Sequence, residues 1–165
     1  MRYKTDTLTQ RNPTMSKIDK VLATGKTYTT LSAAGNTPRG HDGTVDMRLS
    51  SPGSEANPTH VFDGSDAHPT AERLFAAAWS ACYISAVGLA AKAHKLTLPS
   101  DLAVEIEVDL GQTGREYLLQ ARLNVRMPGV PHDVATAVAH AADEICPYSK
   151  ATRGNIDVVL NVITG

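Results

Sequence analysis

One segment limits the fold more than any other: the long apolar stretch between residues 69 and about 94, built around RLFAAAWSACYISAVGL. Its apolar run, residues 74 to 91, is interrupted by Ser80, Ser85 and several alanines, and this reads as a buried helix rather than a membrane span. Pro69 suits a first helical turn and Glu72 suits the positive end of the helix dipole. Leu74, Ala78, Ala81, Ser85 and Leu89 form one stripe at helical spacing, and Phe75, Trp79, Cys82 and Ala86 form a second beside it. Both are expected to face inward. So many small side chains predict close packing on every side, which makes this the central helix.

The rest of the chain must supply what wraps that helix. Segments 19–31, 44–50, 103–110, 117–127 and 156–163 alternate apolar with polar residues and are enriched in β-branched types, and they predict strands. Residues 32–43 and the longer 51–68, rich in Gly, Pro, Asn, Ser and Asp, predict loops. A second helix is expected from about Pro131 to Cys146, with Val134, Val138, Ala141 and Ile145 on one stripe and a stop at Pro147. An antiparallel sheet with two helices, one of them central, is an α+β architecture. The 165 residues, 42% of them hydrophobic, suit one domain over residues 15–165. The polar first fourteen residues read as a flexible N-terminal extension.

Several function classes fit poorly. Sixteen basic against seventeen acidic residues, with no cluster of Lys or Arg, leave little to track a phosphate backbone, so no nucleic-acid partner is expected. No membrane partner is expected either, and the absence of a secretory signal predicts a cytoplasmic protein. The chain has no Gly-x-Ser-x-Gly elbow and no phosphate-binding glycine loop. His60, Asp66 and His68 match no familiar ligand spacing, so neither metal nor cofactor is expected. Two cysteines are too few for a disulfide scaffold, and buried inert thiols are the default expectation.

Local context changes that default. Cys146-Pro147-Tyr148-Ser149 looks like a glutaredoxin motif lacking its second cysteine, but in thioredoxin-like folds the attacking thiol precedes a helix near the chain's start. Cys146 instead ends a predicted helix nineteen residues from the C-terminus, where the negative end of the dipole disfavours a thiolate. Cys82 sits in the most apolar part of the chain, and burial alone would make it inert. If it reacts, a cation from elsewhere in the fold must reach it.

The residues DGTVDMRLSSP at 42–52, HPTAERLFAAAWSACYISAV at 68–87, TLP at 97–99, MPGV at 127–130 and CPYSKATRGNIDVVLNV from Cys146 together resemble the Ohr branch of the OsmC/Ohr family. Those proteins are thiol-dependent organic hydroperoxide reductases, and the likeness extends over about residues 19 to 163. It implies an intertwined α+β homodimer with two sites at the interface. It also implies Cys82 as the peroxidatic cysteine, Cys146 as the resolving cysteine, and Glu72 as the carboxylate that holds an activating arginine. The expected reductant is a dihydrolipoyl group or a lipoylated protein. Phe75, Trp79, Tyr83 and Tyr148 are candidates to line a channel for the hydroperoxide's organic group. A thiol-based sensor without turnover is the rival reading.

The chain departs from the family where the arginine belongs. Its loop reads SAAGNTPRGHDG, and the family column falls on Ala34, so Arg39 is the substitute, with Lys26 and Arg153 as the fallbacks. Glu72 raises a geometric problem of its own. Ten residues of straight helix span about 15 Å and turn the two side chains roughly 80° apart, so Glu72 cannot touch Cys82 on one unbroken helix. Either the helix breaks, or Glu72 serves a partner subunit.

Overall fold

The computed structural model describes residues 16–31, 45–49, 60–65 and 69–165. The expected N-terminal extension, the expected loop at 32–43 with Arg39, and Asp66 and His68 lie outside the described residues. In chain order come β1 (Lys20–Leu31), β2 (Val45–Leu49), β3 (His60–Ser65), α1 (Ala71–Ala93), β4 (Ala103–Thr113), β5 (Glu116–Arg126), α2 (His132–Ile145), α3 (Pro147–Thr152) and β6 (Asp157–Ile163). The strands form one six-stranded sheet in the order β2-β3-β1-β4-β5-β6. This is the α+β class expected, with a strand, β3, inside the stretch expected to be loop. The pairing Thr29↔Phe62, Thr30↔Val61 and Leu31↔His60 recruits that short segment to the sheet despite its turn-rich flanks.

The sheet is not wholly antiparallel. β5 and β6 run parallel, Gln120 opposite Asp157 and Leu123 opposite Leu160. A crossover containing α2 and α3 joins them, and a crossover is the connection that parallel neighbours require. The β4–β5 hairpin, by contrast, turns at Gly114, whose φ of +58° lies in the left-handed region.

α1 lies across the inner face of the sheet and packs on β1, β4 and α2. Thr70 caps it, its side-chain oxygen accepting from the Arg73 N–H at 3.3 Å. Pro69 therefore precedes the cap instead of filling the first turn. Trp79, Tyr83, Ile84 and Val87 on α1 meet Val104, Ile106, Val108, Leu123 and Val125 from the sheet, and Val138 from α2. By length and composition α1 could cross a bilayer, but 61% of its apolar window is buried inside this chain. Gly25 lets the helix start sit close: a Cβ there would lie 2.3 Å from the Arg73 nitrogen and 2.4 Å from the Glu72 carbonyl carbon. Ser80 meets the sheet through the buried hydroxyls of Thr27 and Thr29.

The buried face of α1 differs from the expectation. Leu74 is 43% exposed, Leu89 is 65% exposed and Ser85 is exposed, so three of the five residues of that stripe are on the surface of the chain, while Ala81 is buried and Ala78 half-buried. A helix that is apolar on nearly every side does not announce which side meets the sheet. α2 has a similar departure at one end, where Ile145 is exposed while Ala135, Val138, Ala139 and Ala142 are buried.

Candidate active site

Cys82 is in the middle of α1, half-buried, and Cys146 is the residue between α2 and α3. Pro147 cannot continue α2 and keeps its predecessor out of helical conformation, so Cys146 is extended, with φ −63° and ψ 120°. The Cys146 N–H still donates to Ala142 O at 2.9 Å, closing α2, while its carbonyl accepts from Lys150 N–H at 3.0 Å, opening α3. The helix stop at Pro147 agrees with the sequence, whereas α3 was not expected. Cys146 accordingly has a helix C-terminus on one side and a helix N-terminus on the other, and the simple picture of a thiol at a negative helix end is corrected.

This junction brings the two sulfurs together. Cys146 Sγ–H donates to Cys82 Sγ at 3.3 Å across 64 residues of sequence. Both thiols are free. Burial pushes the Cys82 thiol up to about 11, the Cys146 hydrogen bond adds to that rise, and the Tyr148 backbone N–H opposes it by donating to the sulfur. The site thus has one neutral donor on Cys82 from the first turn of α3, and a neighbouring thiol close enough to bond with it.

The other residues singled out from sequence divide by position. Phe75 is half-buried and stacks edge-on against Trp79, ring centroids 5.8 Å apart. Tyr148 is exposed beside the sulfurs. Trp79 and Tyr83 are fully enclosed, and each spends its polar atom inside the chain: Trp79 Nε1–H donates to Ser149 Oγ at 3.2 Å, and Tyr83 O–H donates to Ala139 O at 2.6 Å. Ser149 was missed by sequence reasoning. Its position three residues after Cys146 was visible, but no local pattern pairs it with a tryptophan 70 residues away.

Glu72 occupies the first turn of α1, and α1 runs without interruption to Ala93, so Glu72 and Cys82 do not meet along it. Lys26 is on the opposite face of the sheet, paired with Glu105 at 3.0 Å and Glu107 at 3.2 Å. Arg153 is held by Asp143, donating to its carbonyl and its carboxylate at 2.9 Å each. Neither fallback cation is therefore committed to Cys82. Among the described residues, no group of three or more His, Cys, Asp or Glu is placed to hold a metal ion.

A mixed six-stranded sheet crossed by one long helix, with a thiol of that helix against a thiol of the crossover, defines an α+β protein with a vicinal pair of cysteines. Residues 63–161 match the family described as OsmC-like protein. An organic hydroperoxide resistance protein of Xanthomonas axonopodis pv. citri is 32% identical over 148 residues, which is 90% of this chain and 99% of that one. An uncharacterized protein of Acinetobacter baylyi is 40% identical over 93 residues, 56% of this chain and 65% of its own length. Among solved structures, an organic hydroperoxide resistance protein of Elizabethkingia anophelis superposes with a TM-score of 0.56 at 37% identity, covering 62% of this chain and 73% of that one. The chain belongs to the OsmC/Ohr family.

Proposed function

We propose that this chain serves in organic hydroperoxide resistance as a thiol peroxidase that uses Cys82 and Cys146. The observation that carries the reading is the 3.3 Å approach of the two sulfurs; the names of the relatives agree with it. The Cys82 thiolate attacks the outer oxygen of R–O–O–H. The O–O bond breaks, the departing alkoxide takes a proton to become the alcohol, and Cys82 is left as a sulfenic acid. Cys146 then displaces the hydroxyl as water and a disulfide forms. A dithiol such as a dihydrolipoyl group returns both cysteines to thiols by exchange. Phe75 and Tyr148, which reach the surface near the site, are the aromatic rings best placed to meet the organic group.

The working unit is a homodimer in this reading. Leu74, Ala78, Ser85 and Leu89 leave a stripe of α1 open beside Cys82, and a second copy of the chain covers it. The unbroken α1 also removes one of the two routes for Glu72. The remaining route is that Glu72 holds a cation for the partner's Cys82, with Arg39 as that cation. The rival from the sequence is a sensor that oxidises without turning over, and it would use the same two sulfurs 3.3 Å apart.

Steady-state loss of tert-butyl hydroperoxide with dihydrolipoamide as reductant separates the two. The peroxidase reading expects turnover in the unaltered protein, none in Cys82→Ser, and a single turnover followed by Cys82 sulfenic and sulfinic acid in Cys146→Ser. Oxidation of the unaltered protein without continued consumption assigns it to the sensor class instead.

A further inference from the structure

Trp79 and Ser149 join the same two elements as the sulfurs do. Trp79 stands three residues before Cys82 on α1, and Ser149 stands three after Cys146 on α3. Their hydrogen bond is 3.2 Å long and both side chains are buried. α3 has six residues, too few to hold a position through its own backbone bonds. Two neighbouring polar side chains are engaged elsewhere: the Thr152 hydroxyl bonds within α3, and Arg153, just past its end, bonds to Asp143 of α2. The Tyr148 N–H contact reaches Cys82 itself, the atom whose bonding changes during reaction. The indole–hydroxyl bond is a buried tie between α1 and α3 that does not pass through a reacting sulfur.

Closing a disulfide requires the sulfurs to move from 3.3 Å to about 2.0 Å apart. The long, enclosed α1 is the fixed side, so α3 and the residue that opens it must supply the approach. We propose that Trp79 and Ser149 are a positioning pair that holds Cys146 in register for its attack on oxidised Cys82, so that their hydrogen bond sets the speed of disulfide closure and not the speed of peroxide attack. This rests on the two-cysteine reading above. In the step concerned, the Cys146 sulfur donates an electron pair to the sulfur of Cys82–S–OH. The S–S bond forms, the S–O bond breaks, and the thiol proton leaves with the hydroxide as water. Enclosure suits Trp79 to this task, since a buried donor with one partner keeps that partner in place.

The test uses Ser149→Ala and the double variant Trp79→Phe/Ser149→Ala. Closure is timed by quenched alkylation and intact mass with two oxidants. One is excess diamide, which joins the two thiols while itself being reduced to a hydrazine, and so needs no peroxidase activity. The other is a single equivalent of tert-butyl hydroperoxide. Ser149→Ala is expected to close at least tenfold more slowly with either oxidant, to form the sulfenic acid within twofold of the unaltered rate, and to accumulate Cys82 sulfinic acid. The double variant removes donor and acceptor together, which recovers stability lost to an unpaired indole N–H. Its urea midpoint is expected to return toward the unaltered value while closure stays slow. Unchanged closure of Ser149→Ala in diamide overturns the proposal. So does a double variant that recovers closure together with stability, because the bond then serves the fold alone. Slow closure in diamide with no consumption of hydroperoxide by any form upholds the positioning pair and rejects the peroxidase.

Discussion

Cys82 is a thiol that its own chain makes hard to ionise. Burial and the Cys146 hydrogen bond raise it to about 11, against one backbone N–H that lowers it. At neutral pH only about one molecule in ten thousand would then carry the thiolate, so rapid attack requires a cation that favours the charged form. Arg39, which lies outside the described residues, is the residue proposed for this. Arg39→Ala should move the midpoint of Cys82 alkylation upward toward 11 and slow reaction with hydroperoxide at least tenfold, since a charge-assisted contact contributes on the order of 1.5–3 kcal/mol. Glu72→Ala should act in the same direction but less, because it orients the cation and does not supply it. An unchanged alkylation profile in Arg39→Ala removes Arg39 from the site.

Strands β1, β4 and β5 are locked in register by charges on the face of the sheet away from α1. Asp109, with its side chain only 2% exposed, accepts from Thr24 at 2.6 Å, from Gln120 at 2.7 Å and from two nitrogens of Arg122 at 2.6 and 3.0 Å. Arg122 also reaches Glu107, which shares Lys26 with Glu105. The Arg122 guanidinium, helped by Gln120 and Thr24, lowers the Asp109 carboxyl to about 2. A carboxyl whose folded value is depressed stabilises the fold above its unfolded value near 4, and that contribution is lost as pH falls toward 2. Its size is about 2 kcal/mol. Urea unfolding of Asp109→Asn should therefore fall well below the unaltered protein at pH 6, with the gap shrinking between pH 4 and pH 2. A gap independent of pH would assign the loss to packing.

At the scale of the whole molecule, the exposed stripe of α1 connects shape to chemistry. Leu74 and Leu89, at 43% and 65% exposed, flank the level of Cys82 on a helix whose other sides are buried. With about two thirds of Leu89 left to cover, its burial contributes about 1–2 kcal/mol, and the proposed symmetric pair buries it twice. Leu89→Arg should raise the dissociation constant of the proposed dimer at least tenfold, as read by sedimentation velocity over a concentration series. Hydroperoxide turnover should fall in parallel with the dimer fraction if Glu72 serves the neighbouring site. A dimer that persists unchanged in Leu89→Arg places the interface elsewhere.

Elements whose signals are local were legible along the chain. The span of α1 followed from its apolar length, the end of α2 from Pro147, and β4 and β5 from alternation that the hairpin preserves residue by residue. The two cysteines were likewise legible as a pair through the motifs around them. Tertiary structure decided what depends on partners far away in sequence. β3 exists because β1 and β2 offer it hydrogen bonds, and β6 runs parallel to β5 because the crossover returns it to the same edge. Which side of α1 meets the sheet was settled by contact, since Ser80 faces the sheet threonines while Leu89 faces outward, an order that hydrophobicity alone would reverse. The 3.3 Å between the sulfurs has the same origin: it requires α1, α2 and α3 packed together, and no spacing along the chain encodes a distance across 64 residues.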